Sequence, residues 1–262
     1  MSGLKIYLNK LVNLLYPRYC VHCQEAPAES EAIAPQATLA MQATLAPVEN
    51  IFCVRCLTQI RRLDGPCCFI CSAPFVSDAA TSHSPTHRCG ECRKNPPPFS
   101  RAITPFLYEG PLIAAICQFK YHKKPHLAIP LARLVVHDLA KVSVDCVMAI
   151  PLHPSRLRSR EFNQSLLLAR QIGHTLSLPY SIDDMIRTRE TPPQVGLSRK
   201  ERQENIKGSF RVTQPNKIKG RRILLVDDVY TTGATLKEGA RVLMKSGAKE
   251  VIVAAIARMV LA

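Results

Sequence analysis

Acidic side chains are scarce in this sequence: 20 Asp and Glu stand against 35 Lys and Arg over 262 residues, a formal net charge of +15. That deficit favours polyanionic partners such as phosphates or nucleic acid. Long hydrophobic runs are absent too. Nowhere do about 18 apolar residues follow one another, which excludes a membrane-spanning helix of the usual kind. The opening MSGLKIYLNKLVNLLY is broken by Lys5, Asn9, Lys10 and Asn13 and lacks a small-residue cleavage site, so it does not read as a secretory peptide. Its Leu4, Leu8, Leu11, Val12 and Leu15 follow helical spacing and predict a short amphipathic packing helix. Neither G-x-x-x-x-G-K-[ST] nor G-x-G-x-x-G occurs, which removes the Walker loop and the dinucleotide fingerprint. With 47% hydrophobic and 21% charged residues the composition is that of a folded protein, and the length suits about one and a half to two domains. The expected compartment is the cytoplasm, where thiols stay reduced.

What is plentiful is unevenly placed. Nine of the 11 Cys lie in residues 1–92. Residues 1–100 hold 9 basic and 7 acidic side chains, whereas residues 101–262 hold 26 and 13. A cysteine-rich, nearly neutral front therefore precedes a strongly basic back. The expected boundary runs between a module at 1–98 and an α/β domain at 99–262.

The cysteines form four C-x-x-C pairs: Cys20 with Cys23, Cys53 with Cys56, Cys68 with Cys71, and Cys89 with Cys92. Each pair presents two thiolates to one tetrahedral ion, so four pairs supply two closed Cys₄ sites, the expectation being two structural Zn²⁺. The last two pairs are separated by 17 residues, the spacing of a zinc ribbon. The first two are separated by 29, and residues 24–50 account for the excess, being rich in Ala and repeating QATLA at 36–40 and 42–46. They read as a low-complexity insertion. Cys67 or Cys68 could pair with Cys71, the two-residue spacing favouring Cys68. A redox pair and idle thiols are the competing readings. His22, His83 and His87 could substitute as ligands but read as surface residues, and Cys117 and Cys146 as small buried hydrophobes. A front half with so few aliphatics needs a metal staple to hold its shape.

In the back half the informative stretch is RRILLVDDVYTTGATLKEGARVLMKSG. Residues 223–226 form a branched apolar run suited to a strand buried on both faces of a parallel sheet. Asp227 and Asp228 follow, then the hydroxyl-rich turn Thr231, Thr232, Gly233, Ala234 and Thr235, then a helical pattern. Strand, small-residue loop and helix amino terminus together make an anion site. Carboxylates beside a phosphate cradle would repel the phosphate unless the ligand also offers hydroxyls or a metal. A ribose 5-phosphate meets that demand, its hydroxyls donating to Asp227 and Asp228. An ordinary strand, turn and helix with a surface acid pair is the alternative.

LLVDDVYTTGAT resembles the phosphoribosyl pyrophosphate (PRPP) motif of type I phosphoribosyltransferases. Tyr108-Glu109-Gly110-Pro111, Phe119-Lys120-Tyr121, Ile150-Pro151-Leu152-His153-Pro154, Phe162-Asn163-Gln164, and Thr191-Pro192-Pro193-Gln194 with Leu197-Ser198-Arg199 occur in the order seen in the ComF/GntX-like competence family. Over about residues 10–258 the chain is similar to that family, which also carries a double zinc ribbon before its transferase-like domain. One departure is Glu161, where the family usually has Gly, a change that bears on backbone geometry and local charge. The resemblance implies a parallel sheet flanked by helices, with strands near 101–107, 145–150, 222–227 and 250–256 and helices near 111–121, 126–140, 163–176 and 235–246.

It also implies roles. Pro151, Leu152, His153 and Arg156 fall where type I enzymes hold pyrophosphate, and Arg156, Arg158 and Arg160 supply guanidiniums suited to phosphate oxygens. A generic solvated basic run is the competing reading, and His153 could equally be a loop-packing residue. Residues 187–211 have loop composition and correspond to a mobile lid, with Arg199 and Lys200 as candidates to reach the leaving pyrophosphate. Mg²⁺-PRPP is then expected to bind with its ribose over Asp227 and Asp228 while a nitrogen nucleophile attacks C1. The competing function is a non-catalytic protein of transformation that senses PRPP or handles single-stranded DNA, with other competence or recombination proteins as partners. Neither the acceptor nor the oligomeric state is legible. Two Zn(Cys)₄ sites would lower the net charge from +15 to about +11, and part of the remainder is committed to the small polyphosphate, so the basicity argues less for DNA than its total suggests.

Overall fold

The computed structural model describes residues 19–25, 48, 50–77, 84–192 and 198–260, with the backbone alone at 199 and 200. The expected amino-terminal helix and most of the 24–50 insertion lie outside the described residues, as do His83 and residues 193–197.

In chain order the cysteine-rich front contributes α1 (Val54–Leu57) and α2 (Gly90–Lys94). The α/β part then runs β1 (Arg101–Ile103), β2 (Phe106–Leu107), α3 (Gly110–Tyr121), α4 (Ala128–Leu139), β3 (Cys146–Ala149), α5 (Pro154–Arg160) and α6 (Gln164–Leu176). It continues through β4 (Tyr180–Ser181), β5 (Met185–Arg187), α7 (Arg199–Ile206), β6 (Phe210–Val212) and α8 (Pro215–Ile218). It closes with β7 (Arg222–Val226), β8 (Val229–Tyr230), α9 (Ala234–Lys245), β9 (Glu250–Ala254) and β10 (Ala257–Arg258). The four helices and four strands expected from sequence are all present.

The main sheet is parallel, in the order β1-β9-β7-β3-β4. Alternation along β7 sends Leu224 and Val226 to one face and Ile223 and Leu225 to the other, all at most 2% exposed, as a strand covered on both sides requires. The first face is packed by α3, α4 and α6 through residues such as Leu112, Phe119, Leu131 and Leu168. The second is packed by α9 and by Met185, Ile206 and Phe210. Three of the strands kink and resume as a smaller parallel sheet, β2-β10-β8, which repeats the order β1-β9-β7. Asp227 and Asp228 are the two residues at the kink between β7 and β8.

The cysteine-rich front shares these cores. Cys20, Phe52, Cys56, Leu57 and Ile60 join the α3/α4 side, while Cys68, Ile70, Cys71 and Cys92 join the α9 side. Hydrogen bonds stitch the join: the Leu63 amide donates to the Pro105 carbonyl at 2.7 Å and the Ala102 amide to that of Ile70 at 2.6 Å. The Arg62 guanidinium reaches Asp138 of α4 at 2.6 Å.

The segment at 187–211, which by composition reads as an irregular lid, instead contains α7 between the paired strands β5 and β6. Its amino terminus is a capping box in which Ser198 and Glu201 satisfy each other's backbone amides. Ile206 is 1% exposed in the α9-side core, and the Arg189 guanidinium caps the carbonyls of Asn205 and Lys207 at 2.8 Å each. Arg199 and Lys200 occupy the first turn of α7, and their side chains lie outside the described residues.

Candidate functional site

A cleft of about 1140 Å³ opens at the carboxyl ends of β3 and β7, adjacent strands of the main sheet. Six cations line it, Lys120, Lys123, Arg156, Arg160, Arg187 and Arg202, against the carboxylates Asp227, Asp228 and Glu190. A cationic, concave site at this end of a parallel sheet is where open α/β folds bind anionic ligands.

Gln164 and Ser165 at the start of α6 line the cleft, and Asn163 fixes that start. The Asn163 side chain caps α6 by accepting from the Ser165 and Leu166 amides and donates to the Ile150 carbonyl at the end of β3, 3.0 Å away. Gln164, 1% exposed, donates to the Lys120 carbonyl at the end of α3. The Ser165 hydroxyl donates to Asp227 at 2.9 Å. Each residue thus ties α6 to a different element of the site.

Asp227 also accepts from the Asp228 amide at 2.9 Å. Its pKa is raised to about 6, first by burial and then by the Asp228 charge, with Lys120 and the Ser165 hydroxyl opposing. Asp228, 5% exposed, forms an ion pair with Lys120 Nζ at 2.8 Å. Burial alone would lower the Lys120 pKa, but the two carboxylates outweigh it and hold the ammonium well above the ordinary lysine range. Lys120 was quoted in the sequence only as part of a motif; its meeting with Asp228 depends on α3 packing against the kink, which no local pattern encodes.

Beyond the acid pair, the chain turns through Thr231 and Thr232 to Gly233, whose φ of +72° starts α9. A Cβ there would lie 2.3 Å from the Tyr230 hydroxyl, so glycine is required by space as well as by conformation. Gly233 brings no capping oxygen, which leaves the helix terminus suited to a phosphate. Thr231 and Thr235 line the cleft; Thr232 turns its hydroxyl to the Ala234 amide at 3.4 Å.

At the opposite end, the residues that the family resemblance marks as a pyrophosphate loop, Pro151, Leu152, His153 and Arg156, run into helix α5 from Pro154 onward. Leu152 and Arg156 line the cleft, but Pro151 and His153 do not. His153 is instead the cap of α5, its Nδ1 contacting the Ser155 hydroxyl at 2.8 Å and amide at 3.4 Å. The three guanidiniums separate by helical geometry. Arg156 and Arg160, four residues apart, share the cleft face, and Arg158 is exposed elsewhere.

The largest omission of the sequence reading is Arg187. It is 8% exposed, donates to the Thr191 hydroxyl and lies over the Phe210 ring at 5.6 Å. Arg156 Nη2 reaches the carbonyl of the same Thr191 at 2.8 Å, so one buried threonine gathers two guanidiniums. Among the described residues Arg187 makes no close ion pair, Asp227 acting on it only from a distance, and its Nε is buried without an acceptor. Burial and then Arg156 bring its pKa down to about 10. An anion placed there would relieve both effects.

The cysteines meet as expected. The Sγ atoms of Cys20, Cys23, Cys53 and Cys56 lie within 4.8 Å of one another, as do those of Cys68, Cys71, Cys89 and Cys92. Cys23 and Cys53 are 3.6 Å apart and Cys71 and Cys89 3.8 Å; a tetrahedral ion with metal–sulfur bonds of about 2.3 Å sets its ligands about 3.8 Å apart. Both clusters repeat one plan. A knuckle ends at a residue of positive φ (Gln24, Ser72), and a short helix starts from the next pair's first cysteine (Cys53, Cys89). Cys68 is the ligand-set member; Cys67 stands outside, bridged to Pro74. His22 is exposed and His87 packs edge-on against Phe75. Cys146 is buried as expected, whereas Cys117 is only partly so, 3.7 Å from the Tyr108 hydroxyl. No helix among the described residues is long and apolar enough to cross a membrane.

Residues 163–259 match the family described as "Phosphoribosyl transferase domain". The chain is 36% identical over 197 residues to "DNA utilization protein YhgH" of Escherichia coli, covering 72% of this chain and 83% of that protein. It is 30% identical over 223 residues to "Competence protein F" of Haemophilus influenzae, covering 80% and 97%. To "Competence protein ComFC" of Bacillus subtilis it is 25% identical over 213 residues, covering 78% and 81%.

Proposed function

The chain belongs to the competence protein F (ComF-like) family, and from that footing we propose that it binds Mg²⁺-PRPP and transfers the phosphoribosyl group to an acceptor in the use of imported DNA. The observation that carries this reading is the polarity of one cleft: an acid pair and a hydroxyl loop at one end, and guanidiniums gathered on the neutral Thr191 at the other. Ribose hydroxyls donate to Asp227 and Asp228, the 5-phosphate sits on Thr231, Thr235 and the start of α9, and the diphosphate lies toward Arg156 and Arg187. In transfer, the C1–oxygen bond to diphosphate breaks as an acceptor nitrogen bonds to C1, and the leaving diphosphate takes the bonding electrons. Arg156 and Arg187 stabilise the charge that builds there. Magnesium, brought in by the diphosphate, would supply further neutralisation. Tyr108, Val229 and Met259, in or just after the strands of the smaller sheet, line the wall along which the acceptor would approach C1.

The cysteine sets are proposed to hold two structural zinc ions. Full thiolate coordination leaves no open position for hydrolytic chemistry, and reduced thiols suit a cytoplasmic protein. Titration calorimetry with PRPP and Mg²⁺ tests the main reading. Micromolar binding by the wild type and at least a tenfold loss in Asp227→Asn are expected; absence of binding by the wild type would overturn it.

A second reading, handling of single-stranded DNA without catalysis, has its own support at the cleft rim. Tyr121 is 57% exposed with Arg160 stacked at 5.0 Å, and Lys123 lies alongside. Exposed rings interleaved with cations are what unpaired bases and phosphates need. DNA affinity that falls steeply with salt supports this reading, and no binding at about 50 mM salt removes it.

A further inference from the structure

The second cysteine cluster and the phosphate loop are joined by one side chain that neither the zinc reading nor the PRPP reading uses. Arg258 of β10 stands in register with Tyr230 of β8, so their side chains share a face of the smaller sheet. The guanidinium lies over the Tyr230 ring at 4.7 Å, and its Nη1 donates to the carbonyl of Cys71, in the cluster's first knuckle, at 2.5 Å. Tyr230 is 2% exposed and supports Gly233 from below, with no room between its hydroxyl and the loop for even a methyl group. Cys68, Cys71 and Cys92 share one buried core with Tyr230, Ala234 and Leu236. An arginine kept for charge pairing would meet a carboxylate; among the described residues Arg258 meets none. The first cluster is connected differently, through the Val21 carbonyl to Gln118 of α3.

We infer that Arg258 is a positioning residue that makes the second cluster and the phosphate loop a single mechanical unit, so that a ligand on the loop stiffens the cluster and the cluster holds the loop in its binding geometry. This rests on the ribose-phosphate reading of the loop. Coupling of this kind is reciprocal and typically worth about 5- to 150-fold in binding, so it is visible from either end.

Hydrogen–deuterium exchange on the metal-loaded full chain, with and without saturating ribose 5-phosphate, tests it. In the wild type, exchange is expected to slow at residues 231–237 and at least about threefold at 68–73 and 89–94, while 20–25 and 50–57 stay unchanged. In Arg258→Met the response at 68–73 and 89–94 disappears and the ligand Kd rises about fivefold. Loop protection in the wild type without any response in the second cluster overturns the coupling, as does a cluster response that survives Arg258→Met. No protection of the loop in the wild type instead counts against the ribose-phosphate reading itself. Should Arg258→Met fail to fold, Tyr230→Leu breaks the same chain one link further on, and the wild-type contrast between the two clusters decides without any variant.

Discussion

The two ends of the cleft solve the same problem of buried charge in opposite ways. At the acid end each carboxylate is answered from within the protein, Asp228 by Lys120 and Asp227 by Ser165 and a backbone amide. At the arginine end Arg156 and Arg187 converge on Thr191 and neither forms an ion pair among the described residues; Glu190, beside Thr191, is engaged by the Ser155 hydroxyl. The acid end is therefore balanced as it stands, and on the proposed reading it would select hydroxyls by hydrogen-bond geometry. The arginine end is complete only with an anion. On the proposed reading, the matched ligand offers hydroxyls and a single phosphate at the first end and a diphosphate at the second.

The strongest way to break that contrast is to unbalance the acid end. Lys120→Met leaves Asp228 buried beside a second carboxylate with no cation, and loss of one partner of a buried pair destabilises by about 3–5 kcal/mol. Urea unfolding should show a drop near the lower figure, largely recovered when Asp228→Asn is added. A loss under about 1 kcal/mol would mean the pair is more solvated than the contrast requires.

Arg187→Met should do the reverse, leaving the fold unchanged or slightly stabilised because a like-charged contact with Arg156 is removed and the contact with Phe210 is kept. Affinity for PRPP should fall about 30-fold, the size of a lost hydrogen bond to a charged group, about 2 kcal/mol. Ribose 5-phosphate, which lacks the diphosphate, should lose less than about threefold on the same grounds. Equal losses for both ligands in parallel titrations would erase the distinction between the two ends.

How much of this was legible in the sequence follows the range of the interactions. The β7-loop-α9 unit is contiguous, so acid pair, threonines and glycine could be placed from residues 223–235 alone, and the four cysteine pairs carried their own spacing. Arg187 and Lys120 reach the cleft only through the fold, since β5 and α3 lie 40 and 107 residues from Asp227 in sequence respectively. Helix α5 was missed because the family resemblance marked residues 151–156 as a pyrophosphate loop, although Pro154 at its start was a usable signal. Helix α7 was missed for a different reason. Its S-x-x-E capping box is plain at Ser198 and Glu201, but the paired prolines and glycines around it dominated the composition.

Titration sharpens the contrast, because the Asp227 carboxyl at the acid end changes charge near neutrality. Asp227 has a folded-state pKa of about 6, above the 3.8 of an unperturbed carboxylate. The folded protein thus holds this proton more tightly than the unfolded chain, and this group's contribution to stability rises as pH falls from about 6 toward 4. Ligand affinity should move the other way, since protonation removes an acceptor for the ribose hydroxyls. The sugar phosphate also titrates near pH 6, so the diagnostic quantity is the difference between wild type and Asp227→Asn. That difference should shrink about tenfold between pH 7.5 and 5, the fraction ionised one unit below the pKa. A difference that stays constant over this interval would place the Asp227 carboxylate outside the hydroxyl contacts.

The smallest expected effect concerns the rim of the arginine end. Glu161 closes α5 at a φ of +69°, the left-handed region that favours glycine, and its side chain pairs with Lys123. A non-glycine residue there carries about 1–2 kcal/mol of backbone strain. Glu161→Gly relieves that strain, but it adds freedom to the unfolded chain, about 0.5–1 kcal/mol, and forfeits an exposed ion pair worth about 0–1 kcal/mol. These terms nearly cancel, so thermal unfolding should move by less than about 3 °C. Lys123, released from its carboxylate, then adds its full charge to a cleft that already has an excess of cations. PRPP affinity at low salt should rise about two- to threefold, the size of a screened surface charge, and the gain should vanish by about 0.5 M salt. A gain that persists at high salt would mean that the substitution acts on the geometry of α5, which carries Arg156 and Arg160, rather than on charge. The arginine end would then be limited by placement of its guanidiniums and not by the number of cations facing the ligand.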